Sequence, residues 1–341
     1  MAIHLNINTE FPFNSLNNFE LTNILETPKN RISKLLKNNR FEKYINTSTA
    51  KNLIEQHNCS YYDEIELCKK LQEGKFELIL LNMNIRSLDK HCGELSALLQ
   101  NLNFTFDFIT ISEIGRRNIE NRAMTLKDKY NIEYKLPNKG MFGGVCILIR
   151  KDLKYHLRQD LEMKSEDVED IWIETTIQNH KTVIGSIYRH PGTNIENFTH
   201  NIEITMNTIQ KETGKAFICG DYNIDGIKIN VDQKTTNFYD TILSQNFLPT
   251  IMIPTRITEN TATVIDNILM KLTNISLNDE IESGNLYSDI TDHLPNFIIL
   301  KSDQDNRFKE SKNERPMIRL QGPKNIKKFT DQLKKQLSRC S

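Results

Sequence analysis

An α/β layered domain is the fold class this sequence predicts, and three observations predict it. Short apolar runs rich in β-branched and aromatic residues recur between Lys75 and Leu300 and read as buried strands. Between them lie segments whose apolar residues repeat at helical spacing. The chain has 341 residues and 38% hydrophobic content, enough for one large domain with flanking tails.

Taken in order, residues 1–60 are rich in Asn, Thr and Lys and carry little periodicity. Ile32, Leu35 and Leu36 could mark one short amphipathic helix, but residues 1–74 are expected to form a weakly ordered leader. The folded body is expected over 75–301, with strands at 76–82, 106–112, 144–150, 170–177, 182–188, 215–220, 263–270 and 296–301. Leu95, Leu98, Leu99 and Leu102 share one helical face, and Ile195, Phe198, Ile202, Met206 and Ile209 share another. Phe238, Ile242 and Phe247 suggest a third, shorter helix. Gly143-Gly144 before a strand and Gly185 inside one suit bends or a close backbone approach. Residues 302–341 form a basic polar tail with Pro316 and Pro323, and Ile326, Phe329, Leu333 and Leu337 space like one short helix. The chain is expected to be a fragment of a longer polyprotein.

Net charge is formally zero, so the whole chain gives no strong signal of nucleic-acid binding. From Lys301 onward, however, 12 Lys and Arg stand against 5 Asp and Glu, leaving the rest acidic. Such a tail can attract a phosphate backbone, although most charge runs are only solvated surface. The 6 cysteines form no CxxC pair, and His57, Cys59, Cys68, His91 and Cys92 fit no zinc spacing. No signal peptide opens the chain and no apolar run is long enough for a bilayer, so a reducing intracellular setting without membrane partners is expected.

The chemistry sits at the tips of the apolar runs. Asn84 follows Phe76–Leu81, Glu113 follows Phe106–Ile111, and Asp221 and Asn223 follow Ala216–Cys219. Asp292 and His293 precede Phe297–Leu300. On one rim of a sheet these residues would gather carboxylates, amides and an imidazole, an inventory suited to a divalent cation and phosphate-ester hydrolysis. Asp221 and Asn223 share a face if their strand continues. Asp225 fits an Asx turn better. Asp266 lies inside a strand-like run and needs a partner, for which His293 is the candidate, with Asp292 a second. Tyr188 and Arg189 close a strand with a phenol and a guanidinium, and Thr255 and Arg256 lie on an expected loop. Either arginine could contact phosphate, surface ion pairing being the plainer reading.

The ordered segments LNMNIRSL, DFITISE, GGVCILIR, GSIYRHP, ICGDYNID, PTRIT, TVIDNI and SDITDHLP resemble the endonuclease domain of LINE-type (jockey-like) non-LTR retrotransposons. That domain is similar to apurinic endonucleases and deoxyribonuclease I, within the endonuclease/exonuclease/phosphatase superfamily. The resemblance runs from about residue 60 to 300; each segment alone is weak, and eight in order are specific. It implies a four-layer α/β sandwich of two mostly antiparallel sheets flanked by helices. It implies Mg²⁺, with Mn²⁺ as an alternative, held by Glu113 and Asn84 and supported by Asp292. Asp221 would orient or deprotonate water, Asn223, Tyr188 and His293 would contact the scissile phosphate, and Asp266 would orient His293. Arg189, Thr255, Arg256 and Thr291 are the expected nucleic-acid contacts, Thr291 standing where the superfamily usually has Ser. Arg86 stands where apurinic endonucleases carry an acid, and Ile114-Gly-Arg-Arg117 replaces the usual aromatic-containing continuation. The implied reaction nicks double-stranded DNA and leaves a 3′-hydroxyl that primes reverse transcription of element RNA, with a nuclear location and a reverse transcriptase domain as partner. The alternatives are a phosphatase or exonuclease of the same superfamily and a domesticated, non-catalytic nucleic-acid binder.

Overall fold

The computed structural model describes residues 28–38, 59–116, 126–212, 214–229, 231–271 and 281–301. The expected tail helix and most of the expected leader lie outside these described residues.

Sheet A has seven strands in the order β1-β14-β15-β2-β3-β5-β4. They are β1 (Cys59–Tyr62), β2 (Phe76–Asn84), β3 (Phe108–Ser112), β4 (Tyr130–Lys135), β5 (Val145–Arg150), β14 (Ile281–Leu286) and β15 (Asn296–Lys301). Sheet B has six, in the order β10-β13-β9-β8-β7-β6. They are β6 (Tyr155–Leu157), β7 (Val168–Ile177), β8 (His180–Arg189), β9 (Lys215–Asp221), β10 (Phe247–Pro249) and β13 (Asp266–Lys271). Neighbours are antiparallel except β1–β14, β2–β3 and β8–β9. A small hairpin pairs β11 (Arg256–Ile257) with β12 (Ala262–Thr263).

Period-two alternation builds the layers. Leu78 and Leu80 of β2, Ile147 and Ile149 of β5, Phe217 and Cys219 of β9, and Ile268 and Met270 of β13 meet in the core between the sheets. The intervening Ile79, Leu81, Cys146 and Leu148 face outward beneath α2 (Glu64–Glu73) and α3 (Leu88–Asn101). Ala216, Ile218 and Leu269 face α4 (Ile195–Gln210) and α5 (Gln233–Ser244) on the other side. Burying each large apolar side chain contributes roughly 1.5–3 kcal/mol, which explains why both faces of the central strands are apolar. The result is helix, sheet, sheet, helix, as the resemblance implied. Gly185 permits the sheet B packing: a Cβ there would lie 2.4 Å from the Trp172 ring. Among the described residues, no helix is long and apolar enough to cross a membrane.

Three expectations are corrected. The body begins before residue 75, because β1 pairs with β14 and α2 follows behind a capping box between Asp63 and Glu66. The short helix that Ile32, Leu35 and Leu36 offered forms within the expected leader as α1 (Pro28–Asn38), and it places Ile32 in a cluster with Cys59, Ile257, Tyr287 and Leu294. Phe247 belongs to β10 rather than to the helix, which ends at Ser244. β14 escaped the apolar-run criterion because it buries polar groups. Ser283 Oγ donates to Thr250 O, Asn285 Nδ2 to Pro254 O, and Glu282 accepts from the Tyr62 hydroxyl.

Candidate active site

Strand direction delivers the polar residues to one rim. The parallel pair β2–β3 ends at Asn84 and just before Glu113, and the parallel pair β8–β9 ends near Tyr188 and Asp221. β13 runs the other way and starts there, with Asp266 opposite Asp221. β15, antiparallel to β2, starts just beyond His293. Both sheets therefore contribute to one cleft between them. The turn at Asp221 depends on Gly220, at φ 152°, where a Cβ would lie 1.8 Å from Ile187 O. Glu113, Asn223 and Arg86 take the left-handed backbone at φ 54°, 49° and 53°. For non-glycine residues this conformation is held only by its surroundings, and it concentrates at functional sites.

Asn84 organises the centre. Its Nδ2 donates to Glu113 Oε1 at 2.6 Å and to Asp221 Oδ2 at 2.9 Å, while its Oδ1 accepts from Arg86 N at 3.0 Å. The Asn84 oxygen thus faces the backbone and its N–H groups face the two carboxylates. One donor atom each from Glu113, Asp221 and His293 lie within 4.8 Å of one another. Burial and the nearby Asp266 charge push the Asp221 carboxyl up to about 7, against the opposing pull of His293, Asn223 N and Asn84.

His293 is held from behind. Its Nδ1 lies 3.0 Å from Asp266 Oδ2, and Asp266 is itself buried. Thr255 Oγ1 donates to that same oxygen at 2.7 Å and accepts from Asp266 N and Ile265 N. Burial alone would lower the imidazole pKa, but the charges of Asp266, Asp221 and Asp292 outweigh it and raise His293 to about 9. The ring is therefore cationic at neutral pH, with Nε2 as its remaining donor. Thr255, expected at DNA, is fully buried and fixes Asp266 instead.

Tyr188 is buried beside Glu113; burial, then the charges of Glu113, Asp221 and Glu169, keep its phenol protonated well above its usual range. Arg189 is corrected too. It is only 2% exposed, and its guanidinium donates to Tyr222 O, Asn223 O, Thr193 O and Thr193 Oγ1, so it braces the turn after β9 and does not reach a ligand. Asn223 N donates to Asp221 Oδ1 at 2.9 Å, and Asn223 Nδ2 donates to Arg189 O. Asp225 does sit in the following turn, capping Ile227 N.

Asp292 does not join the carboxylate centre. Arg256 Nε lies 2.8 Å from its Oδ2 and Arg86 Nε 3.0 Å from its Oδ1. Burial works against its charge, but Arg256, His293 and Arg86 outweigh that and hold Asp292 below the usual carboxylate range. Thr291 likewise turns inward: its Oγ1 lies in reach of Asn84 O and His293 O and accepts from His293 N, locking the loop to β2.

The sequence reading missed Glu169 and His190. Glu169, wholly buried in β7, accepts from His190 Nε2 at 2.8 Å, from Asn138 N at 2.8 Å and from Gly144 N at 3.4 Å. The Tyr188 and His190 rings meet edge to face at 5.0 Å. A signal existed: Glu169 is a charge directly beside a strand-like run, and His190 follows Tyr188-Arg189.

Two carboxylates bridged by amide N–H groups form a hard, oxygen-only donor set that fits a divalent cation such as Mg²⁺, which takes one or two carboxylates and fills its remaining positions with water and substrate oxygens. The cationic His293 suits an anion better than a metal.

The sequence profile of the Endonuclease/Exonuclease/phosphatase family matches residues 81–293. The endonuclease domain of TRAS1, a telomere-specific non-LTR retrotransposon, is similar in structure at 13% identity and a TM-score of 0.51, covering 65% of this chain and 98% of that one. The 3'-5' exonuclease NExo from Neisseria meningitidis is similar at 13% identity and a TM-score of 0.50, covering 66% and 100%. A comparison with curated proteins gives no match. The likeness in structure carries the fold, and the profile, which spans every residue from the β2 tip to His293, carries the family: the chain belongs to the Endonuclease/Exonuclease/phosphatase family.

Proposed function

We propose that this chain is a Mg²⁺-dependent DNA endonuclease that nicks duplex DNA and leaves a 3′-hydroxyl able to prime reverse transcription of a retroelement. The observation that carries the reading is the joining of two units on one rim: the Glu113–Asn84–Asp221 centre and the His293–Asp266–Thr255 relay. Family membership makes a hydrolytic phosphoesterase the coarser statement.

Glu113 and Asp221 would hold the cation, whose charge would neutralise the attacked phosphodiester. That cation would also favour the ionised form of Asp221, which burial alone disfavours. Asp221 accepts the proton of the attacking water, with its other oxygen fixed by Asn223 N. His293, cationic and aimed by Asp266, donates from Nε2 to a phosphoryl oxygen as negative charge grows there. Tyr188 and the second N–H of the Asn223 amide are the neutral donors to the same phosphate. As the water oxygen bonds to phosphorus the P–O3′ bond breaks; the leaving oxygen takes a proton from solvent water as the 3′-hydroxyl, and a 5′-phosphate remains on the other end.

The test is nicking of supercoiled plasmid by purified protein with Mg²⁺, with EDTA, and by the Asp221→Asn variant. Metal-dependent nicking, lost in the variant and sealed by ligase only where 3′-hydroxyl and 5′-phosphate ends remain, is the expected result. A folded protein that leaves the plasmid closed but hydrolyses a terminal phosphate monoester would overturn it in favour of a phosphatase of the same family.

A further inference from the structure

Asp292 lies within ion-pair distance of two guanidinium groups: Arg256 Nε donates to its Oδ2, while Arg86 Nε is 3.0 Å from its Oδ1, which accepts no hydrogen bond among the described residues; the hydrolysis above uses none of the three side chains. Arg86 and Arg256 each turn an Nε edge to Asp292, and among the described residues their Nη groups have no partner. Both side chains remain partly exposed, at 43% and 37%. Two guanidinium groups against one carboxylate leave a net positive charge. A planar fork of N–H donors matches phosphate geometry better than a point charge does.

The position of this cluster is fixed by the catalytic residues themselves. Asp292 immediately precedes His293, and Arg256 forms a backbone bridge with His293. Ile257 N donates to Asp292 O, which ties the β11 strand to the same loop. On the other side Arg86 N is bonded to Asn84 Oδ1, and that bond holds Arg86 in its left-handed conformation.

We propose that Arg86 and Arg256, held apart and aimed by Asp292, form a clamp for a second, non-scissile phosphate of the DNA backbone, next to the phosphate that is cleaved. The proposal rests on the DNA-endonuclease reading and adds a substrate requirement to it: a polynucleotide, with at least two adjacent phosphates, is gripped in register. Asp292 is then a positioning residue.

The experiment measures nicking of duplex DNA over a range of salt, and hydrolysis of bis(p-nitrophenyl) phosphate, a diester with a single phosphate, by wild type, Arg86→Ala, Arg256→Ala, Arg86→Lys and Arg256→Lys. Each alanine variant is expected to raise KM for DNA about tenfold, the scale of one lost charge-assisted contact, with kcat changed much less. The salt slope of DNA binding, measured in EDTA, should fall by about one phosphate contact. Hydrolysis of the single-phosphate diester should fall by no more than about threefold, and the lysine variants should recover the salt slope but only part of KM. Equal losses on both substrates would show that the arginines merely hold the His293 loop, and an unchanged KM and salt slope would show that they face no phosphate; either overturns the clamp. Failure of the wild type to nick DNA, with diester hydrolysis intact, would overturn the underlying reading instead, and the EDTA binding slopes would still decide whether the arginines meet DNA.

Discussion

His293 on Asp266 and His190 on Glu169 are the same pair of groups in two settings. Both join an imidazole to a buried carboxylate at about 3 Å, both lie at the same rim, and in both the carboxylate raises the imidazole pKa. They differ in what else holds the carboxylate. Asp266 is gripped by Thr255, whose hydroxyl also takes the two backbone N–H groups beside it, so the whole unit exists to fix one ring. Glu169 gives its other bonds to the backbone N–H groups of Asn138 and Gly144, so it pins the loop after β4 onto β7. A ring nitrogen of His293 lies within 4.8 Å of carboxylate oxygens of Glu113 and Asp221, and the side chain is 3% exposed, whereas His190 is partly open to solvent. A histidine–carboxylate pair thus does not announce catalysis; its other bonds decide whether it aims a ring or anchors a loop.

The sharpest way to break this comparison is to delete both rings. His293→Ala should lower kcat for DNA nicking by about 10²–10⁴, the range for losing a proton-transfer or charge-stabilising group, with its circular dichroism spectrum retained. His190→Ala should lower kcat by less than about tenfold, since its ring touches Tyr188 but not the carboxylate centre. Comparable losses in the two variants would end the distinction.

The next effect concerns the carboxylate. Asp266→Asn removes the charge that offsets burial of His293, so the imidazole should lose its proton at lower pH. The alkaline limb of kcat should move to lower pH, toward the ordinary histidine range, with a fall of about 10–10² at neutral pH. A limb that stays in place would show that a different group titrates there. Thr255→Val keeps the charge and removes only the fixing bond. It should cost less than about tenfold in kcat, and about 1–3 kcal/mol in stability for the donors it strands, measured by urea unfolding.

These assignments were unevenly legible in the sequence. That Asp221, Asp266, Glu113 and His293 gather at one rim was readable because a charge at the tip or inside of an apolar run must be either solvated or used. What Arg189, Thr255, Thr291 and Asp292 do was not readable, although all four stood in the noted segments. Their partners are Tyr222 O, Asp266, Asn84 O and Arg86, 33, 11, 207 and 206 residues away, and only the fold brings them together. β1 and β14 were hidden for a related reason. Glu282, Ser283 and Asn285 point inward and are satisfied by distant groups, so a buried strand carries the composition of a loop. The four layers were legible because period-two alternation on β2, β5 and β9 is local, and apolar burial needs no named partner.

The smallest expected effect separates the two pairs by stability rather than rate. The Glu169 hydrogen bond, against the opposing pull of burial, raises the His190 pKa above its unfolded value. Protonated His190 therefore stabilises the fold fully below about pH 6.5, and that contribution fades as pH rises through the folded value. His190→Ala should lower stability by about 1 kcal/mol at pH 5.5, and the deficit should shrink as the wild type loses its proton. Thermal melts of both proteins from pH 5.5 to 9 read the difference directly. Glu169 keeps its two backbone donors in the variant, so the loop stays anchored and the melt remains a single transition. A deficit that does not change with pH would mean that His190 acts through packing on Tyr188 alone, and the likeness between the two pairs would then be one of geometry without shared electrostatics.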